Sequence, residues 1–328
     1  MKTLLRPRRM ILSLLAALAG CAVVLPAAAQ NWPTRPVKLI VPFPPGGGND
    51  AYARELGQAL QRRLGQPFVV DNRGGAAGNI GISAAANSPA DGYTLLVVSN
   101  TLVTNPALSA NTPYDLYKDF IPISLAANLP VALVASPEVK QKNLKDFIAY
   151  AKEHPGKVTY GTSGVGAPHH LTTEYFSSKA GVQMLHVPFK GQGPMVPELL
   201  AGRVDTAFLA IASVMQFLET GKLHGIALAG KERTPIAPKL PTLAEGGLQG
   251  VSVDWWLGVL APAGTPKDIV QKLSTEIMAL NQQPEFKARL AQQGIDVVGS
   301  SPEQFASVLK EELPRWKEVV RNAGIKAE

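Results

Sequence analysis

The stretch Val37-Lys38-Leu39-Ile40-Val41-Pro42-Phe43-Pro44-Pro45-Gly46-Gly47-Gly48-Asn49-Asp50 joins a β-branched apolar run to a glycine cluster, and positions 51–64 follow with helical spacing. A strand that ends in glycines and turns into a helix is the opening unit of an α/β fold. Working outward, apolar strands at 68–70 and 94–98 alternate with a small-residue helix through Ser83-Ala84-Ala85-Ala86, which implies βαβ units and a largely parallel sheet. Strands at 121–126 and Val131–Ala135 then come almost back to back with no helix between them, so the chain is expected to cross into a second lobe there. A second series follows: a helix at Leu144–Glu153, a strand at 157–160, a helix from Pro168, a strand at 184–187, a helix at 196–201 and a strand at 205–209. Segments 225–229 and 255–260 carry the chain back, and three helical segments at 266–280, 284–292 and 302–323 begin with prolines, where a missing N–H costs least. The expectation is an α/β chain with two lobes, each a mainly parallel sheet flanked by helices. Lobe one takes 30–126 and 254–328, and lobe two takes 127–253.

With 328 residues, 46% hydrophobic and 17% charged, the chain can fill two cores, which excludes disordered, collagen-like and disulfide-stapled classes. The formal charge of +7 is concentrated at the start, where Lys2, Arg6, Arg8 and Arg9 stand without an acid. Beyond residue 29 the chain carries 28 basic and 25 acidic side chains, too even a balance for a nucleic-acid partner. The basic start, the apolar run 10–25 and Ala27-Ala28-Ala29 read as a secretory leader over 1–29, cut before Gln30 and directing the protein to the periplasm. Leu18-Ala19-Gly20-Cys21 also fits a lipoprotein site, and Arg8-Arg9-Met10-Ile11-Leu12 loosely fits a twin-arginine signal. Ordinary cleavage is favoured because Cys21 precedes apolar Ala22-Val23-Val24-Leu25 instead of a polar tether. Export removes the protein from nucleotide pools, and neither a cofactor nor a metal is expected.

Three consecutive glycines let the backbone approach a ligand closely, and the helix that follows offers unpaired N–H groups to an anion. Asp50 reads as the N-cap of that helix. Gly46, Gly48 and Ala51 have the G-x-G-x-x-A spacing of a dinucleotide site, with Asp71 beyond a second strand. Phe43-Pro44-Pro45 nevertheless separates strand from glycines, and no Gly-Lys-Ser/Thr of a P-loop follows.

Tyr160-Gly161-Thr162-Ser163-Gly164-Val165-Gly166-Ala167-Pro168-His169-His170-Leu171 repeats the arrangement of strand, glycine turn and helix start. Two such turns, one in each half, suggest facing jaws that grip an anion from both sides. The rival reading is an exported serine hydrolase using Ser163 with a histidine and Asp205, but Val165 stands where a nucleophile elbow needs glycine. Adjacent His169 and His170 point about 100° apart on a helix and cannot form an i, i+4 zinc pair. His154, His186 and His224 are scattered and read as structural. Lys190-Gly191 supplies a cation near the second jaw, and of Trp255 and Trp256 one is expected to pack internally.

At these residues the chain resembles the periplasmic solute receptors of tripartite tricarboxylate transporters, the Bug receptors. The resemblance runs through Trp32-Pro33 to Phe43, Pro45-Gly46-Gly47 with Asp50, Val70-Asp71-Asn72-Arg73 with Gly78-Asn79-Ile80-Gly81, Asp91-Gly92-Tyr93-Thr94, Asp119-Phe120 with Pro122-Ile123, the glycine stretch up to Leu171, Lys190-Gly191, and Ala261-Pro262-Ala263-Gly264-Thr265-Pro266. It implies a two-lobed venus-flytrap fold of the type II periplasmic binding protein kind. It also implies no enzymatic activity and a small carboxylate held largely by backbone amides, with integral membrane transporter subunits as partners and a monomeric receptor. The candidate ligand-binding set is Phe43, Pro44, Gly46, Gly47, Gly48, Asn49, Asp50, Asn79, Ser99, Thr101, Thr162, Ser163, Gly164, Val165, Gly166, Ala167, His169, Lys190 and Asp205. Two departures stand out: Gly74 replaces a usual proline, and Ala167-Pro168 replaces small polar residues, which tilts the pocket toward a less polar ligand. Neither glycine loop holds Arg or Lys, so a mono- or dicarboxylate, with an aromatic body preferred, fits better than a hydroxylated tricarboxylate.

Overall fold

The structure, a computed structural model, describes residues 32–325; the leader, its cleavage site, Cys21 and the twin-arginine pair lie outside them. Of the described residues, 32–34, with a cis Trp32–Pro33 bond, belong to one unit, and Arg35 begins the other. In that second unit β1 (Val37–Val41) leads to α1 (Gly48–Leu64), β2 (Phe68–Asn72) to α2 (Asn79–Ala86), and β3 (Thr94–Ser99) to α3 (Thr101–Leu108). The long β4 (Phe120–Leu129) is separated from β5 (Val131–Ala135) by Pro130 alone. Then come α4 (Leu144–Glu153), β6 (Thr159–Thr162), α5 (Pro168–Ala180), β7 (Leu185–Pro188), α6 (Gln192–Leu200), β8 (Thr206–Ala210), α7 (Ile211–Glu219) and β9 (His224–Leu228). The chain returns as β10 (Trp255–Pro262), α8 (Lys267–Asn281), α9 (Pro284–Ala291), β11 (Asp296–Val297) and α10 (Pro302–Asn322).

These strands form two sheets, in the orders β11-β4-β10-β3-β1-β2 and β7-β6-β8-β5-β9. Both are mixed, which corrects the expectation of mainly parallel sheets. In the first, β10 runs antiparallel to β3 and β4, and in the second β5 runs antiparallel to β8 and β9. The reason is topological: β5 and β10 are the strands by which the chain arrives in each sheet from the other, and they enter from the edge where the remaining long strands end. The lobe boundaries expected at 126/127 and 253/254 fall inside β4 and just before β10.

The strands are buried on both faces where helices cover them, as in Leu95, Leu96, Val97 and Val98 of β3, all at 0% exposure. Helices α3 and α7 and the edge strand β11 were not legible in the sequence, and α6 begins at Gln192, four residues before its expected start.

One close approach fixes the base of the first glycine loop. Gly81, in the first turn of α2, lies so near the chain that a Cβ would sit 2.6 Å from the Arg73 carbonyl oxygen and 2.7 Å from Pro42 Cα. Backbone atoms cannot rotate aside as a flexible side chain can. Gly81→Ala is therefore expected to cost about 1–3 kcal/mol of overpacking, seen as a lower urea midpoint with an unchanged slope. An unaltered midpoint would show that α2 does not hold the loop.

Candidate functional site

The first loop leaves β1 at Val41 and becomes helical at Gly48, so its N-cap is Gly47 and not Asp50. With three glycines and no Cβ to satisfy, the helix begins earlier than the aspartate signal suggested. Asp50 instead stands in the first turn, 4% exposed, and its carboxylate accepts hydrogen bonds from Gly46 N (2.9 Å), Asn72 Nδ2 (3.0 Å) and Arg54 Nε (3.0 Å). Asn72 Nδ2 also donates to the Phe43 carbonyl at 3.1 Å, so Phe43 and Gly46 are pinned to one hub. Burial acts to raise the Asp50 pKa, but Arg54, the Gly46 N–H and Asn72 outweigh it and hold the carboxyl below its usual range. Gly47 has no capping side chain, which leaves the first-turn amides of α1 beside an exposed, open stretch at Gly46 and Gly47.

The second loop connects β6 to α5 and turns on Gly164 (φ 136°) and Gly166 (φ 74°), conformations that favour glycine. Its helix likewise lacks a side-chain cap at Ala167 and has Pro168 in the first turn. Side chains brace the loop from below. Thr162 Oγ1 meets His186 Nε2 at 2.7 Å, Ser163 Oγ meets His169 Nδ1 at 2.9 Å, and Gly166 N donates to His170 Nδ1 at 3.0 Å. Burial pushes the His169 pKa down to about 4, with the Gln192 side chain acting in the opposite direction.

Both loops approach the strands at the crossing. A Cβ on Gly48 would meet Leu129 Cδ2 at 3.0 Å, and Leu129 is the cross-strand partner of Trp255. The Trp255 indole lies edge-on to His169, ring centroids 4.8 Å apart, and donates its N–H to Thr172 of α5 at 3.2 Å. On the other side a Cβ on Gly166 would meet Leu108, at the end of α3, at 3.1 Å. Phe43 to Asp50 and Thr162 to His169 are thus joined through Leu129 and Trp255.

The remaining expected residues divide. Asn79, at the start of α2, accepts from Asn105 Nδ2 at 2.8 Å, and Asn105 also reaches the Ala77 carbonyl at 2.9 Å. Ser99 and Thr101 pair through their hydroxyls at 3.1 Å where β3 gives way to α3, at the same sheet edge as the first loop. Lys190 is exposed in the turn after β7, makes no ion pair among the described residues, and is tied to the second loop by Phe189 N donating to the Thr162 carbonyl at 3.0 Å. Asp205 is not brought to the loops. It precedes β8 and accepts from Thr159 N and Oγ1, both at 2.7 Å, at the start of β6 and therefore at the opposite edge of the sheet.

Two residues outside the expected ligand-binding set stand at the loops: His186, read from the sequence as structural, braces the second loop, and Trp255, one of the two adjacent tryptophans, lies against His169. Trp256 is the tryptophan that packs internally, 1% exposed, and donates its N–H to Glu312 of α10 at 2.9 Å on the other face of the strand. The hydrolase constellation is not assembled: Ser163 touches His169, but Asp205 is at the far edge and, among the described residues, no carboxylate meets the other ring nitrogen, Nε2, which is buried.

Comparison with known proteins points to one family of receptors. The sequence profile described as "Tripartite tricarboxylate transporter family receptor" matches residues 52–325. Protein BugT of Bordetella pertussis is 37% identical over 311 residues, covering 94% of this chain and 95% of its own. A solved structure titled "R. palustris Rpa4515 with adipate" has 36% identity and a TM-score of 0.77, with 90% of this chain and 99% of that one covered. MatC (Rpa3494) from Rhodopseudomonas palustris, with bound malate, has 33% identity and a TM-score of 0.73 over 88% of this chain and 100% of that one.

Removing the hub tests how the first loop is held. Asp50→Ala leaves Gly46 N–H, Asn72 and Arg54 without their common acceptor and is expected to cost about 1–3 kcal/mol. Asp50→Asn, which keeps an acceptor for Gly46, is expected to lose less. Because the folded-state pKa of Asp50 lies below its ordinary 3.8, its contribution is present above that value and fades as pH falls through the folded value. Urea midpoints of wild type and Asp50→Ala should therefore converge in strong acid, and an equal gap at pH 7 and in strong acid would refute the assignment.

Proposed function

The chain belongs to the tripartite tricarboxylate transporter receptor family, and from that premise we propose that it captures a small mono- or dicarboxylate in the periplasm and delivers it to integral membrane transporter subunits. The fold supports this reading: two α/β sheets are joined at adjacent crossing strands, the two-lobed arrangement of periplasmic binding proteins. The observation that carries the proposal is that two helix starts, Gly47 of α1 and Ala167 of α5, lack a side-chain cap and stand on either side of Leu129 and Trp255. A carboxylate between them would receive backbone N–H groups and the positive ends of two helix dipoles.

Charge sets the ligand class. Asp50 and Arg54 neutralise one another, His169 is neutral at neutral pH, and Lys190 is the cation tied to the second loop. Three desolvated carboxylates would lack compensation there, whereas one or two fit. Adipate and malate, held by two relatives, are both dicarboxylates. Phe43, Pro44, Ala167, Pro168 and Trp255 add apolar surface suited to a ring, which is why an aromatic mono- or dicarboxylate is preferred over a hydroxylated tricarboxylate. The working protein is read as a monomer, exported with a leader cut before Gln30, and an N-terminal mass measurement on periplasmic protein checks that site.

A thermal-shift panel of benzoate, terephthalate, adipate, malate and citrate is the direct test, since a ligand at 100 times its Kd adds about 2.7 kcal/mol. Stabilisation by a mono- or dicarboxylate is expected, and a response to citrate alone would overturn the ligand class. Gly47→Val should weaken the binding found by far more than Lys145→Ala. The valine acts by its bulk, because Gly47 has an ordinary extended backbone with φ −88°. Equal affinities in calorimetry would move the site elsewhere, and ester hydrolysis abolished by Ser163→Ala would replace the receptor reading with the hydrolase one.

A further inference from the structure

Three of the five histidines in the chain brace the second loop, and two of them act as a pair. The imidazoles of His170 and His186 are stacked, centroids 4.0 Å apart and planes 16° from parallel, and the Tyr160 ring continues the stack at 4.9 Å from His186. His170 is 7% exposed. Its Nδ1 accepts the Gly166 N–H, so that nitrogen carries no proton and the neutral ring holds its hydrogen on Nε2. A second proton on His170 goes to Nδ1. It would then point N–H at N–H, and the Gly166 amide would lose its partner.

Among the described residues, the groups other than the Gly166 amide that bond, pair with or stack on the two rings come from three elements. From α5, Glu174 Oε1 lies 4.0 Å from His170 Nε2 and is also taken by the Tyr160 hydroxyl. From β6 come Tyr160 and the Thr162 hydroxyl, and from β7 His186 itself. His169, the neighbour on α5, turns instead to Ser163 and Trp255. Two positive imidazoles at stacking distance repel strongly, so the pair titrates as a unit.

We propose that His170 is a positioning residue of the second loop, keeping its backbone in the ligand-receiving shape only while its ring is neutral, that a proton on its Nδ1 unlatches the loop, and that the stacked His186 sets where His170 takes up that proton. The proposal rests on the reading that a ligand carboxylate sits at this loop. Burial, and then the neighbouring His186, push the His170 pKa down to about 4 from an ordinary 6.5, and burial lowers that of His186 as well. An opened loop returns the rings to water and toward the ordinary value, so opening takes up a proton. The opening constant then rises as pH falls, by up to about tenfold per pH unit for one proton, between 6.5 and about 4. Carboxylate is held at neutral pH and let go in acid.

Nitrogen-15 NMR of the ligand-free protein tests this without any knowledge of the ligand. At pH 7.5 His170 should show a bare Nδ1 and a protonated Nε2, and from there to pH 4 the amide signals of Gly164 and Gly166 should move with the imidazole midpoint. In His186→Phe, which keeps a stacked ring but removes the neighbouring charge, the His170 midpoint should rise; should that variant not fold, the wild-type titration decides alone. A proton on His170 Nδ1 at pH 7.5, or Gly164 and Gly166 amides indifferent to the titration, would overturn the proposal. Misplacement of the ligand site shows separately, as equal carboxylate affinities for Gly47→Val and Lys145→Ala.

Discussion

The antiparallel pairing of β4 with β10 is the constraint on which the rest of the molecule depends. It sets Leu129, where the chain leaves the first sheet, opposite Trp255, where it comes back. Both crossings therefore lie side by side, and every strand that ends at that edge delivers its loop to the same place. Strand alternation then separates the two tryptophans. Trp255 faces α5 and His169, while Trp256 packs edge-on to Phe305, centroids 5.2 Å apart, and bonds Glu312 in the C-terminal helix. Gly258 makes room for that packing, since a Cβ there would lie 2.3 Å from the Phe305 ring. Burial pushes the Glu312 carboxyl up, with Arg315 and Trp256 acting against it. The C-terminal helix is thus tied to the strand by which the chain returns to the first sheet.

Both glycine loops were legible in the sequence because a glycine cluster between an apolar run and a helical period has few other meanings. Strand direction was not. β1, β2 and β3 follow one another and declare themselves parallel, but the reversed strands are paired with partners far away in the chain, Leu129 with Trp255 and Val131 with Ala210. Helix α3 was hidden for a different reason. Thr101-Leu102-Val103-Thr104-Asn105-Pro106 combines β-branched residues with an internal proline, and it is helical because α10 and the sheet bury Leu102 and Val103, so tertiary packing overrides propensity.

The misread site residues share a cause. An aspartate at a helix start signals a cap, yet whether it caps or reaches back to the loop depends on where the first helical residue falls, and three glycines shifted that point to Gly48. Asp205 and His186 both stand beside a strand of the second sheet, and only the direction of that strand tells which edge each one serves. Thr159 draws Asp205 to one edge, and Thr162 draws His186 to the other. A four-residue strand separates a structural carboxylate from a ring that shapes the loop.

Neutrality is the property that links the two jaws. Asp50 is matched by Arg54 on the first, and the second is braced by imidazoles that burial keeps uncharged at neutral pH. An arginine placed to pair with the ligand would have to be desolvated at capture and torn from its partner at release, and breaking a buried pair leaves an uncompensated charge. Amide dipoles impose no such penalty. On the proposed reading each jaw would supply part of the hydrogen bonding, and on parting of the lobes each set of N–H groups would return to water. Affinity built in this way would belong to the closed state alone, so a partner that favoured an open state by a few kcal/mol would shift the population and empty the site without competing for the ligand.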